Sequence, residues 1–272
     1  MDFKEIKNTI KEFVEKELFS LEPWILDSSW EEKLPKLNEL RGKVKKMGLW
    51  LPQIPKEYGG LGLTLEQHGE ISEILGASPY GFYVFNCQAP DAGNMEILIE
   101  FGTEEQKEKY LNPLLDGKIR SCFAMTEPNF AGSNPVNMGT LATKENGNYI
   151  INGHKWFTSS FDGAKFAIVM LISDPNNENP YKKASQIIVP TDSEGVKFIR
   201  NISVMGHPGG GWESHAEIKF ENVKVPLSNV LGGDGEGFSI AQKRLGPGRI
   251  HHCMRWIGIC ERSFDLMCKR AA

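Results

Sequence analysis

Residues 122–133 read Cys122-Phe-Ala-Met-Thr-Glu-Pro-Asn-Phe-Ala-Gly-Ser133. The stretch opens as a short apolar strand, breaks at Glu127-Pro128 and runs into a loop of small and hydroxyl-bearing residues. Backbone in such a loop can come close to a flat or phosphorylated ligand, although an ordinary strand-turn has the same composition. About twenty-five residues on, Asn152-Gly-His-Lys-Trp-Phe-Thr-Ser-Ser160 again ends a β pattern with aromatics and hydroxyls.

On the N-terminal side of this pair the chain has helical periodicity. Phe3, Ile6, Ile10, Phe13, Val14 and Leu18 recur at helical spacing between Lys and Glu residues. A second helix is expected from about Leu34 to Met47, ending at Gly48, and a Pro/Gly-punctuated loop follows from Leu51. Leu65 to Leu75 and Asn94 to Phe101 are helical again, and Thr103 caps a further helix running to Leu115. Residues 1–120 therefore form an all-helical region.

On the C-terminal side the period falls to two. Short β-branched and aromatic runs at Leu141–Lys144, Tyr149–Asn152, Phe166–Ile172, Ser185–Pro190, Val196–Ile202, Ala216–Phe220 and Val223–Val225 alternate with turn signals. Regular short strands without intervening helices indicate an antiparallel β-barrel or sandwich over 121–235. Gly232-Gly-Asp-Gly-Glu-Gly-Phe238 lacks the strand-to-helix context of a dinucleotide fingerprint and reads as a hinge. Helix resumes over 236–272, with Pro247 between two glycines as an expected interruption. The fold class is thus α+β and multidomain.

The 272 residues suffice for a sizeable core, and the net charge of -4 argues against nucleic acid or an anionic membrane as partner. Five cysteines with no Cys-x-x-Cys pair read as reduced thiols. Neither a secretory signal nor a run of eighteen apolar residues is visible, which points to a soluble protein of the cytoplasm, with mitochondrial or peroxisomal location left open. His251, His252 and Cys253 are consecutive, so on a helix they point in different directions and make no zinc site.

The two opening stretches together resemble the flavin-binding segments of acyl-CoA dehydrogenases. The first follows the family's hydrophobic-Thr-Glu-Pro-x-x-Gly-Ser pattern with one extra loop residue, the second its Asn-Gly-x-Lys-x-aromatic-x-hydroxyl pattern. The loop Pro52-x-x-Pro-x-x-Tyr-Gly-Gly-x-Gly62 and the Leu231-to-Phe238 link are also familiar parts of that family. Phe85-Asn-Cys-Gln-Ala-Pro-Asp91 and Gly246-Pro-Gly-Arg-Ile-His-His-Cys-Met-Arg255 resemble a branch associated with long-chain or hydroxylated acyl-CoAs.

The resemblance implies FAD, since α,β-dehydrogenation of a thioester needs a hydride acceptor that no side chain supplies. It implies that Phe123, Met125, Thr126, Gly132 and Ser133 meet the cofactor from the first segment, and Phe157, Thr158 and Ser159 from the second. For an acyl-CoA substrate it implies Ser133, Arg249 and the polar run Asn86, Gln88, Asp91 and Asn94, while Lys182 and Lys183 are either CoA-phosphate ligands or a solvated turn. The family's catalytic glutamate, in either of its usual places, has no counterpart here; one of them is occupied by Gly248. Residues 236–272 thus look like the first helix of a shortened third domain. An electron-transfer flavoprotein as acceptor and a homodimer or tetramer follow from the same likeness. The alternatives are a non-catalytic flavin- or acyl-CoA-binding fragment, an acyl-CoA oxidase, and a hydroxyacyl-CoA dehydratase on the same scaffold.

Overall fold

A computed structural model describes all residues, Met1–Ala272, and the chain divides into two compact units, 1–92 with 245–272 and 93–244.

The first unit is helical. Helix α1 (Phe3–Phe13) starts at a reciprocal capping box between Asp2 and Glu5, buries Ile6, Ile10 and Phe13, and runs on through a π-helical turn, Val14–Leu18. Helix α2 (Trp30–Lys46) begins four residues before the expected Leu34, because Ser29 and Glu32 form a second capping box that satisfies its first amides. Its inner face carries Leu37, Leu40 and Val44. Helix α3 (Leu65–Gly76) is capped in the same way by Thr64 and Gln67.

Helix α4 (Asp91–Phe101) begins in this unit and ends in the next, and α5 (Gly237–Ala271) begins in the next and ends in this one. Pro247 does not interrupt α5: the helix is continuous from Gly237 to Ala271. Proline forfeits one amide bond but its fixed φ is a helical one, so a long helix can carry it. Within the first unit α5 crosses α3 at close range. A Cβ on Gly258 would lie 1.9 Å from the Glu73 carbonyl oxygen, and one on Gly76 2.3 Å from that of Arg255.

The second unit is built on a seven-stranded sheet: β1 (Ser121–Ala124), β2 (Leu141–Glu145), β3 (Asn148–Ser159), β4 (Phe166–Ile172), β5 (Ala184–Pro190), β6 (Val196–Asn201) and β7 (His215–Pro226). The order is β1-β4-β2-β3-β7-β6, with β5 on β4. Most pairings are antiparallel, but β1–β4 and β2–β4 are parallel, so the sheet is mixed. β4 is paired along its length with β5 and over Phe166–Val169 with β1, whereas β2 meets it only at Leu141–Ile172.

The two runs expected at 216–220 and 223–225 form one strand. Asn222 takes a left-handed φ of 53° and exchanges hydrogen bonds with Asn152, which absorbs the register shift opposite Gly153. Cys122, Ala124, Val169, Leu171, Ile187, Val189, Ile218 and Phe220 make the core between these strands. No helix is long and apolar enough to cross a membrane.

Candidate functional site

Strand β3 starts with inward-facing Tyr149 and Ile151, and continuing the alternation of two brings Lys155 to the same buried side. A lysine in that position has to find partners or lose its charge. It finds them in the other motif: Lys155 Nζ donates to Glu127 Oε1 at 2.7 Å and to the Met125 carbonyl at 2.8 Å. Glu127 also accepts from the Gly139 amide at 2.6 Å and the Thr140 amide at 3.0 Å, so its carboxylate closes the loop that starts at Pro128. The pair is sealed, with side-chain exposures of 0% for Lys155 and 4% for Glu127.

Burial pushes the Glu127 carboxyl up, but Lys155 and the hydrogen bonds from Lys155, Thr140 and Gly139 overcome it and hold the pKa below the ordinary value. Burial in turn brings Lys155 down to about 8, with Glu127 pulling the other way, which leaves the ammonium protonated at neutral pH. One residue further along, Trp156 donates its amide to the Thr126 carbonyl at 3.1 Å and accepts the Thr126 hydroxyl at 3.0 Å. The two segments singled out in the sequence are therefore laced together at three consecutive positions, 125–127.

A bulge between Lys155 and Thr158 then re-aims the strand. Phe157 adopts a left-handed φ of 47° and its ring is 44% exposed, edge-on to Trp156 at 5.1 Å. An aromatic held outward in a costly backbone conformation is a feature of sites rather than of cores. Ser159 is half-buried, its Oγ 2.8 Å from His215 Nδ1. Thr158, by contrast, is fully buried with an unpartnered Oγ1, so the structure separates its side chain from Phe157 and Ser159.

In the first segment Phe123 and Met125 are half-buried and Ser133 is exposed. Gly132 passes close to Thr126: a Cβ there would be 3.1 Å from the threonine methyl. Gly153 has a sharper reason, since its Cβ would stand 2.3 Å from Thr140 Oγ1, beside an amide that Glu127 binds.

The residues expected to line the acyl chain are buried and hydrogen-bonded within the protein. Asn86, at φ 56°, receives a hydrogen bond from Arg41 on its Oδ1 at 3.1 Å, Gln88 donates to Asp91 at 2.8 Å, and all three are buried. Asn94 donates to Ser121 Oγ and the Cys122 carbonyl and accepts from Arg244 Nε at 3.1 Å. Arg249 is exposed on α5. Lys182 lies on an exposed turn, 3.6 Å from Glu236.

Several site residues escaped the sequence reading. Arg244 lays its guanidinium over the Phe123 ring at 4.1 Å. Near it, burial raises Glu96 to about 7, with Arg244 opposing the rise. His215 lies fifty-six residues from Ser159, and no local pattern announces that meeting. Lys155 and Glu127 were not singled out either, although a charged residue in phase with buried strand positions is the signal that could have found them.

No side-chain cluster here has a metal's ligand set. An outward aromatic ring, hydroxyls at Thr126 and Ser159, and a loop of small residues ending at an exposed serine suit a flat, hydrogen-bonding ring with a phosphate tail. The residues present fit a flavin nucleotide.

Comparison with known proteins bears on this arrangement. Residues 2–118 match the acyl-CoA dehydrogenase N-terminal domain and residues 122–223 the acyl-CoA dehydrogenase middle domain. A solved structure from Mycobacterium abscessus assigned to the acyl-CoA dehydrogenases superposes with a TM-score of 0.91 at 37% identity, covering 98% of this chain and 69% of that one. This chain belongs to the acyl-CoA dehydrogenase family. Family member 10 of Mus musculus is 44% identical over 97% of this chain, which spans 26% of that protein's length. A chain from a structure titled for the electron transferring flavoprotein of Acidaminococcus fermentans matches at 30% identity with a TM-score of 0.78, covering 99% of this chain and 68% of that one. The helical N-terminal region, β region and C-terminal helix expected from the sequence are the family's fold, with the correction that the β region is a mixed sheet and not the antiparallel barrel or sandwich expected, because β4 pairs in parallel with β1 and β2.

Proposed function

We propose that this chain is the cofactor-holding part of a flavin enzyme that desaturates an acyl-CoA thioester between its α and β carbons. The observation that carries the reading is the lacing of Met125–Glu127 to Lys155–Trp156, which presents Phe157 and Ser159 outward from a rigid base. FAD, when bound, supplies the acceptor for the β-hydride that the protein's own side chains lack.

The chain's residues do the holding. Phe157 offers an aromatic face to one side of the ring. Thr126, whose proton is committed to the Trp156 carbonyl, has lone pairs left to accept from the ring's polar edge. Ser133 and the neighbouring backbone suit the diphosphate. The buried Lys155–Glu127 pair keeps its charges from the ring while fixing both segments, because its polar groups are consumed by one another and by the backbone. Arg244 steadies Phe123 from behind.

An α-proton must also be removed, and general-base catalysis typically contributes ~10²–10⁴ in rate. Gly248 stands where one branch of the family carries a carboxylate. An electron-transferring flavoprotein is the proposed acceptor of the electrons, and a homo-oligomer the proposed assembly.

Titrating the purified chain with FAD tests the reading. Visible absorbance of bound flavin and quenching of its fluorescence are expected, both weakened at least tenfold in affinity by Phe157→Ala. A folded chain that binds no FAD would sink the proposal. Rapid reoxidation of bound reduced flavin by oxygen, rather than by an electron-transferring flavoprotein, would favour the oxidase.

A further inference from the structure

Ser159 ends β3 directly opposite His215, the first residue of β7. Both are held by surrounding backbone: Ser160 donates its amide to the Ser214 carbonyl at 2.8 Å, Ile202 donates to the His215 carbonyl at 2.8 Å, and Ser160 Oγ donates to the Trp212 carbonyl at 2.7 Å. The approach of His215 Nδ1 to Ser159 Oγ, 2.8 Å, is therefore part of a fixed frame. Along the same face of β7 the next polar residue, Glu217, is engaged by His154 at 2.9 Å and by Arg200 from β6 at 2.7 Å, so its charge is already countered.

A serine hydroxyl has one hydrogen and two lone pairs, and a neutral imidazole has one donor nitrogen and one acceptor. Burial lowers the His215 pKa, which keeps the ring neutral at neutral pH. Whichever nitrogen carries the proton decides what Ser159 has left to offer. If it is Nε2, Nδ1 takes the Ser159 hydrogen and the serine faces outward as an acceptor. If it is Nδ1, the serine hydrogen is free.

We propose that His215 is a positioning residue that takes the Ser159 hydroxyl hydrogen on Nδ1 and so presents Ser159 to a bound flavin as a hydrogen-bond acceptor. The role rests on the flavin reading above. An oxidised flavin edge presents acceptor atoms, and reduction adds an N–H to that edge. A serine held as an acceptor favours the reduced ring, and a serine free to donate favours the oxidised one. His215 thereby raises the reduction potential through a residue it touches, without touching the cofactor itself.

Two measurements test this. In ¹⁵N-histidine NMR of the chain without flavin, His215 is expected as the Nε2–H tautomer, with an Nδ1 shift that moves in Ser159→Ala. An Nδ1–H tautomer in the wild type, or an Nδ1 shift indifferent to Ser159→Ala, overturns the proposal. With FAD bound, His215→Phe is expected to change the oxidised-to-reduced ratio at fixed poise tenfold toward oxidised, about 30 mV for a two-electron couple. His215→Asn, which brings an amide oxygen, should restore most of it, and in a Ser159→Ala background His215→Phe should do nothing more. An equal shift in that background marks a merely structural role and overturns the proposal. A folded wild-type chain that binds no FAD overturns the flavin reading together with this role; one that binds FAD with a potential indifferent to His215→Phe overturns this role alone.

Discussion

Each unit encloses a pair of titratable side chains, sealed in one case and half-buried at His251 in the other, and the two pairs are kept in opposite ways. In the sheet unit, Glu127 and Lys155 carry full charges, and four hydrogen bonds to each other and to backbone hold them. In the helical unit, His68 and His251 meet edge-to-face at 4.3 Å, and the Nδ1 of each has no hydrogen-bond partner. Burial lowers His68 to about 3, helped by His251, and His251 to about 4, helped by His252. The comparison separates two solutions to one problem. A charge survives burial when every atom is bonded; an imidazole survives it by giving up its charge.

Breaking the first pair from one side should have the largest effect. Lys155→Met leaves Glu127 buried and unpaired, at an expected cost of ~3–5 kcal/mol in chemical denaturation, whereas adding Glu127→Leu should recover much of it. If Lys155→Met unfolds at the wild-type midpoint, the pair is not what fixes the two segments.

The histidine pair should declare itself in pH dependence. Both folded pKa values lie below the ordinary 6.5, so the unfolded chain binds more protons as pH falls through that value. Stability is then complete above about 6.5 and lost progressively toward 4, on the order of 2 kcal/mol at pH 5 from His68 alone. His68→Gln should flatten thermal stability over that window; an unchanged slope would show that these rings are not the source. Glu127 contributes in a different range, because a depressed carboxylate loses its stabilisation only as pH falls through its folded pKa, below the ordinary 4.5.

Tyr149 hydrogen-bonds Asp234 at 2.5 Å in a half-buried setting, and Tyr149→Phe should cost about 1–2 kcal/mol, read from the denaturation midpoint. The smallest effect belongs to an exposed counterpart of the sealed pair. Arg200 bonds Glu217 at 2.7 Å yet is 67% exposed, so Arg200→Ala should cost less than ~1 kcal/mol and less still in high salt. A loss as large as that of Lys155→Met would erase the distinction between sealed and solvated pairs.

These pairs also mark how far sequence alone could reach. Helices α1 to α3 were legible because apolar spacing is local, although their capping boxes at Asp2, Ser29 and Thr64 went unread and α2 starts earlier than expected for that reason, and the motifs at 122–133 and 152–160 were legible because their chemistry is written in consecutive residues. The burial of Asn86, Gln88, Asp91 and Asn94 was not, since polar side chains in a run of small residues suit a lining and an internal strut equally well. Nor was the continuity of α5 through Pro247, where helix length outweighs one missing amide bond. Ser159–His215 and Phe123–Arg244 join residues far apart in the chain, and only the register of the sheet and the course of α5 bring them together.

The carboxylate of Glu127 does one thing more. By binding the amides of Gly139 and Thr140 it ties off residues 128–138 at their base, while Met138 at the end of the segment packs on the core. Closing a somewhat longer loop between fixed ends costs only about 0.6 kcal/mol for each doubling of its length. Phe130, in the loop that is one residue longer than the family pattern, rests its ring against Gly139. Changes of length at the exposed tip, residues 129–134, are therefore expected to alter what the loop meets at Gly132 and Ser133 at small cost to the scaffold.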